Sequence, residues 1–243
     1  MRIFAALGLS ALGSAGGLLL ASLFLLVHER GRSRVLPSLI SYAVGTLLGA
    51  ALLALLPEAV ETERPSVVFA SLLTGIFTFF ILEKLVLWRH CHDLQDCQIH
   101  KSTATLVIVG DATHALVDGA VIAAAVLVSF PLGITTALAI AAHEVPQQVG
   151  DVAILLAAGY SRVKAFGLNL IAGAGAVAGA ALMVMFGEAT PGVLPYVLGF
   201  AAGNFLYVAM ADLIPHLHRG IEDANAFRQI VMIAAGIATI VAL

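Results

Sequence analysis

Long runs without a single charged residue limit the fold of this chain more than any other feature. PLGITTALAIAA (131–142) carries no charge, and VAILLAA (152–158) is equally apolar. A helix crossing a bilayer needs about 20 such residues. Eight candidate spans meet that measure: 3–27, 36–60, 66–88, 104–128, 132–158, 163–186, 191–214 and 226–243. The connections between them are short, so little chain remains for a domain outside the membrane. The backbone must satisfy its own hydrogen bonds in lipid, which leaves helices or a closed barrel. Unbroken apolar runs, in place of ten-residue alternating strands, argue against a barrel. Composition agrees. The chain is 60% hydrophobic and 11% charged, where a soluble domain is about 25% charged. The predicted class is therefore an all-α polytopic membrane protein, a single membrane domain over 1–243.

Charge orients the spans. Loops 1, 3, 5 and 7 hold Arg30, Arg32, Arg34, Arg89, Lys101, Arg162, Lys164, Arg219 and Arg228. The other loops and the two ends hold only Arg64 and Arg2. The positive-inside rule then predicts eight spans with both termini outside. Arg2 before an apolar run also fits a cleaved leader, but the run is long and a basic cluster follows it, so a retained span is expected. A multi-pass protein of a plasma or inner membrane, with the lipid bilayer as its surroundings, follows. The net charge of −3 and the lack of a basic stretch give no sign of nucleic-acid binding. Two cysteines, Cys91 and Cys97, are too few for a disulfide framework.

Against this background the polar residues inside spans stand out. A charge at the bilayer centre costs about 2.5–3.5 kcal/mol on insertion scales, so intramembrane acids are functional candidates. Span 4 reads GDATHALVDGA (110–120), placing Asp111, His114 and Asp118 at i, i+3, i+7 on one helix face. Span 5 reads HEVPQQVGD (143–151), placing His143, Gln147 and Asp151 on one stripe and Glu144 with Gln148 on the next. Two facing helices with imidazole and carboxylate donors make a metal cage, and this donor mixture suits zinc, iron or manganese. Asp118 and Glu144 together balance one divalent ion. Pro146 lacks an N–H and is expected to free the Ala142 carbonyl.

Other polar positions carry weaker signals. Glu58 lies near the outer end of span 2, and Asn204 and Asp212 lie in span 7. With Asp111, Gln148 and Asp151 they are candidates for path or supporting roles. Loop 89–103 gathers His90, Cys91, His92, Cys97 and His100, a candidate cytoplasmic metal-binding loop whose spacing fits no closed zinc motif. In span 6, Gly175 and Gly179 form a small-xxx-small pattern, expected to pack a helix closely.

HALVDG, HEVPQQVGD, LLPEA (55–59), LEKLVLWRHCH (82–92) and LYVAMADLIPHL (206–217) together resemble the ZIP (Zrt/Irt-like) divalent metal transporters, nearest the LIV-1-like branch with its HE-x-P signature. The resemblance covers nearly the whole chain. It implies no enzymatic activity and no cofactor, but uptake of a divalent metal (zinc first, alternatively iron, manganese or cadmium) through an eight-helix bundle with related three-helix units, as a homodimer. It also implies His114, Asp118, His143, Glu144 and Gln147 as metal ligands. This chain departs from the pattern at Ala115, where the family usually has Asn, at Gln147, where the branch commonly has His, and at Ala54.

Two other functions compete. HEVPQ is one residue short of the H-E-x-x-H metalloprotease motif, which needs a histidine where Gln147 stands. A proton-coupled carrier of another solute would use the acids but has no need of paired imidazoles.

Overall fold

A computed structural model describes residues 2–25, 29–88, 99–219 and 226–243. They form eight helical rods. α1 is Arg2–Leu25. α2 runs over Glu29–Gly49, passes through a π-helical stretch, Ala50–Leu55, and continues over Leu56–Thr62. α3 is Pro65–Trp88, α4 Ile99–Val128, α5 Phe130–Ala157 and α6 Arg162–Ala189. α7 runs over Leu194–Tyr207, through π-helical Val208–Leu213, to Ile214–Arg219. α8 is Ala226–Val241. Each rod falls on one of the predicted spans. The candidate loop donors His90, Cys91, His92 and Cys97, and the side chain of His100, lie outside the described residues.

Six of the rods, all but α5 and α8, are long and apolar enough to cross a membrane. α8 is apolar but shorter. α5 has the length, at 28 residues, but its C-terminal half carries the polar row from His143 to Asp151. This is a multi-pass integral membrane protein, and its surface agrees. Leu12, Leu20, Phe69, Phe77, Met185 and Phe227 all point outward, a display that water would not tolerate over so wide an area.

The helices sort into two bundles. α4 packs most extensively on α6, and α1 on α5, α6 and α4. The second bundle joins α2 to α8 and α3 to α7. The two meet chiefly where α2 lies against α5 and α7 against α4. Packing in lipid favours small residues at close crossings. α1 shows this inversion plainly: Ala6, Ser10, Gly17 and Ala21 face inward while its leucines Leu12, Leu19 and Leu23 face out. Gly175 and Gly179 behave as the packing seam expected of them. A Cβ at Gly175 would sit 2.6 Å from the Ala112 carbonyl oxygen, and one at Gly179 would fall on that of Leu116. Both contacts lie inside the first bundle, so this seam is not a face along which the other bundle slides.

The proline positions divide into two kinds. Pro57 and Pro215 each follow a π-helical stretch that contains the residue four back, Leu53 or Ala211. The missing N–H leaves that carbonyl unpaired, and the wider π turn takes up the difference. Pro146 does not break its helix, since α5 runs on as α-helix through it. Its expected loosening is thus confined to the one missing hydrogen bond. α5 starts on Ser129, whose hydroxyl accepts the Leu132 N–H at 3.3 Å. It ends at Gly159, whose φ of +84° suits glycine, and the Tyr160 N–H closes back on the Leu155 carbonyl at 3.0 Å.

At the opposite end from the basic loops, Glu63 ties α2 to α7. Its carboxylate accepts the Arg64 N–H at 2.8 Å and the Tyr196 hydroxyl at 3.1 Å. The Arg64 backbone bond first, and then the Tyr196 hydroxyl, hold Glu63 below its ordinary value of 4.5. A depressed carboxyl stabilises the fold above its unfolded pKa, and that contribution is lost as pH falls through the folded value. Tyr196→Phe is therefore expected to narrow the difference in melting temperature between pH 6 and pH 3. The effect is small, because the group is exposed.

Candidate metal centre

α4 and α5 run antiparallel, so residues rising along one meet residues descending along the other. His114 and His143 meet with their Nε2 atoms 3.2 Å apart. One carboxylate oxygen of Asp118, Oδ2, lies 3.4 Å from both Nε2 atoms. Glu144 completes the group, and one ligand atom from each of the four residues lies within 4.8 Å of the others. Asp118, His143 and Glu144 are almost wholly buried, at 2%, 2% and 1% exposure. Two imidazoles and two carboxylates brought this close in an apolar interior make sense around a cation, since a buried charge is costly unless paired.

Supporting contacts orient the donors. His143 Nδ1 lies 3.2 Å from the Ala139 carbonyl, one turn earlier on the same helix. Donating there fixes the ring and turns the Nε2 lone pair toward Asp118. Gln148 donates to Glu144 Oε2 at 3.1 Å, leaving Oε1 without a partner among the described residues. Among the described residues, both oxygens of Asp118 also lack a hydrogen bond, the two imidazoles standing at 3.4 Å. Removing the Glu144 support by Gln148→Leu is expected to weaken metal affinity about 10–100-fold, as loss of such a partner commonly does. Competition against a fluorescent chelator measures it, and an unchanged affinity would remove Gln148 from the account.

The remaining expected residues take different places. Gln147 gives its amide N–H to Asp111 Oδ1 at 3.1 Å, one turn from the four-residue group. Asp151 is half-buried, one further turn along α5. Asn204 is completely buried on α7, with neither amide atom partnered among the described residues. Asp212 is exposed in the π stretch of α7, near enough to His114 and Glu83 for their charges to act on it. Glu58 is half-buried in the final segment of α2.

Some neighbours were not anticipated. Phe79 meets the His114 ring at 6.0 Å, edge to face, and Phe205 lies 6.3 Å from His143. Both come from the second bundle, so the cluster sits at the boundary between bundles. On its other side α1 approaches closely: a Cβ on Gly17 would stand 3.1 Å from that of Glu144. Ser10 and Ser14 line the tightly filled space beside Asp118 and Glu144.

Comparison with known proteins decides the family. The family model described as "ZIP Zinc transporter" matches residues 89–243, which include both site helices. The chain belongs to the ZIP family. Among family members, zinc transporter ZIP13 of Pongo abelii is 31% identical over 221 residues, covering 85% of this chain and 66% of the relative. Zinc transporter zipt-7.2 of Caenorhabditis elegans is 34% identical over 146 residues, 58% of this chain and 32% of that protein. Zinc transporter ZIP10 of Danio rerio is 38% identical over 124 residues, 51% and 15%. The chain thus spans just under two thirds of the ZIP13 sequence and about a third of zipt-7.2.

Proposed function

We propose that this chain carries a divalent transition metal, zinc foremost, across the membrane and into the cytoplasm. The observation that carries the reading is the convergence of half-buried His114 with buried Asp118, His143 and Glu144 where the two bundles meet. Two neutral imidazoles and two carboxylates balance one divalent charge and offer the nitrogen and oxygen donors that zinc accepts. Gln147, one turn along α5 from His143, is the fifth ligand in this reading, reached when its amide turns from Asp111. Iron, manganese and cadmium suit related donor sets, and affinity order alone does not select among them. Zinc is favoured because the matched relatives are named zinc transporters.

The path follows from packing. On one side of the cluster, Leu47, Leu55, Val121, Ile122, Ile140, Leu198 and Phe205 form a continuous apolar core across both bundles, which closes that direction to an ion. On the other side the polar row continues through Asp111, Gln147 and Asp151. Charge asymmetry makes that second side cytoplasmic, with eight spans and both ends outside. Alternate exposure then comes from displacement of the bundle of α1, α4, α5 and α6 against the other, with 1–243 acting as one transport domain. A homodimer is the assembly that family likeness favours, and light scattering in detergent tests it.

A protease reading lacks its second histidine at Gln147. A carrier of another solute leaves the facing imidazoles unexplained. Uptake of radioactive zinc into proteoliposomes, challenged by unlabelled iron, manganese and cadmium, tests the proposal. Zinc accumulates, and competitors lower the rate in proportion to their fit. Peptide cleavage that depends on Glu144, with no metal flux, would put the protease reading in its place.

A further inference from the structure

On the α1 side of the cluster three buried oxygens have no hydrogen bond among the described residues: Ser10 Oγ, Asp118 Oδ1 and Glu144 Oε1. Their residues border one narrow space, closed by Ala115, Ile122 and Ile140 and with no room for a water molecule. Any donor to these carboxylates from this side must therefore come from the protein. Ser10 is unlike the other buried hydroxyls. Ser41, Thr135 and Thr136 each donate to the carbonyl one turn back on their own helix, the usual outlet for such a group. Ser14, one turn further along α1, donates to the Gly173 carbonyl of α6 at 3.0 Å. Ser10 is wholly buried and does neither. The run of the helices brings it to the acids. Arg2 at the start of α1 donates to the Leu127 carbonyl near the end of α4, and a Cβ on Gly13 would meet Ile122 at 3.9 Å. α1 is thus antiparallel to α4 and parallel to α5. Gly17 stands level with the Glu144 Cβ, and a helical side chain leans toward the N-terminus of its helix. The Glu144 chain therefore leans back toward Ser14 and Ser10.

Counting donors singles out one acceptor. Glu144 accepts from Gln148 at Oε2 and keeps Oε1 for the ion. Asp118 turns Oδ2 to both imidazoles at 3.4 Å, which leaves Oδ1 as the carboxylate oxygen with no donor. We propose that Ser10 is a positioning residue of the metal site: with the metal bound, its hydroxyl donates to Asp118 Oδ1, as Gln148 donates to Glu144 Oε2. Each carboxylate then has one oxygen for the ion and one held by a protein donor, the arrangement that orients a ligating carboxylate. A turn of the Ser10 side chain between staggered positions re-aims the hydroxyl without moving the backbone. α1 supplies no ligand itself, but through Ser10 it sets the direction of one.

This inference rests on the metal-carrier reading, and the two fail differently. Zinc affinity and metal-free melting temperature are measured in nanodiscs for the wild type, Ser10→Ala and Ser14→Ala. Ser10→Ala is expected to lose about 10–100-fold in zinc affinity and to keep its metal-free melting temperature, since the hydroxyl makes no bond there. Ser14→Ala is expected to do the reverse: it melts lower, because α1 loses a hydrogen bond to α6, and it keeps its zinc affinity. Infrared difference spectra give a readout that packing alone would not move. The carboxylate stretch of the zinc-loaded protein shifts in Ser10→Ala, and that of the metal-free protein does not. Wild-type affinity in Ser10→Ala, an unshifted zinc-loaded band, or an equal loss of affinity in both variants overturns the role of Ser10 and leaves the main site standing. A wild type that binds no zinc removes the metal-carrier reading as well.

Discussion

Asp118→Ala is expected to abolish tight zinc binding, with a larger loss than the about 10–100-fold that removal of a supporting partner costs. Asp118 alone reaches both imidazoles, and it supplies one of the two negative charges in the cluster. The same change removes the carboxylate that faces both imidazoles in the metal-free protein, so the melting temperatures of the two metal-free proteins serve as the baseline. The two proteins part company when zinc is added. A ligand at 100 times its Kd stabilises the folded state by about 2.7 kcal/mol, and only the wild type gains this. Thermal shift with and without zinc reads the difference. An equal zinc-induced shift in both proteins means that the ion binds elsewhere.

Gly179→Leu is the change expected to damage the fold most. α4 and α6 approach so closely there that any Cβ would fall on the Leu116 carbonyl, with the Ala120 nitrogen 3.1 Å away. Backbone cannot yield as a side-chain tip can. Overpacking of this kind costs about 1–3 kcal/mol or more. It also pushes on α4 between His114 and Asp118, so metal affinity is expected to fall with stability. Gly167, on the same helix, has nothing within 4 Å of a Cβ. Gly167→Ala is expected to be harmless or slightly stabilising, because alanine is the better helix former. Melting temperatures of the two variants in one detergent make the comparison. A Gly179→Leu protein as stable as Gly167→Ala contradicts the close crossing.

How much of this was legible in the sequence depended on whether the signal was local. Span positions were legible because apolar length is a local property. The site was legible because His114 with Asp118, and His143 with Gln147 and Asp151, repeat at helical spacing, and only one face of each helix can present them. Partner choice among helices was not. α1 and α3 are apolar all round, so their sequences do not say which side turns inward. The small residues that mark the inner face of α1 become readable only once the partner helix is known. The roles of Phe79 and Phe205 were hidden for the same reason, because an aromatic residue in a span looks alike whether it meets lipid or a histidine. Pro57 and Pro215 announced a disturbance, but not that a π turn would absorb it. Pro146 announced one too, and α5 runs on as α-helix through it.

The most direct test of the central claim is X-ray absorption at the zinc edge of protein loaded with one equivalent. The expected spectrum has two imidazole nitrogens and oxygen donors at about 2.0–2.2 Å, and no sulfur. It collapses in the His114→Ala, His143→Ala variant. A sulfur shell at about 2.3 Å that survives that double substitution would place the metal on cysteine, away from α4 and α5, and contradict the account.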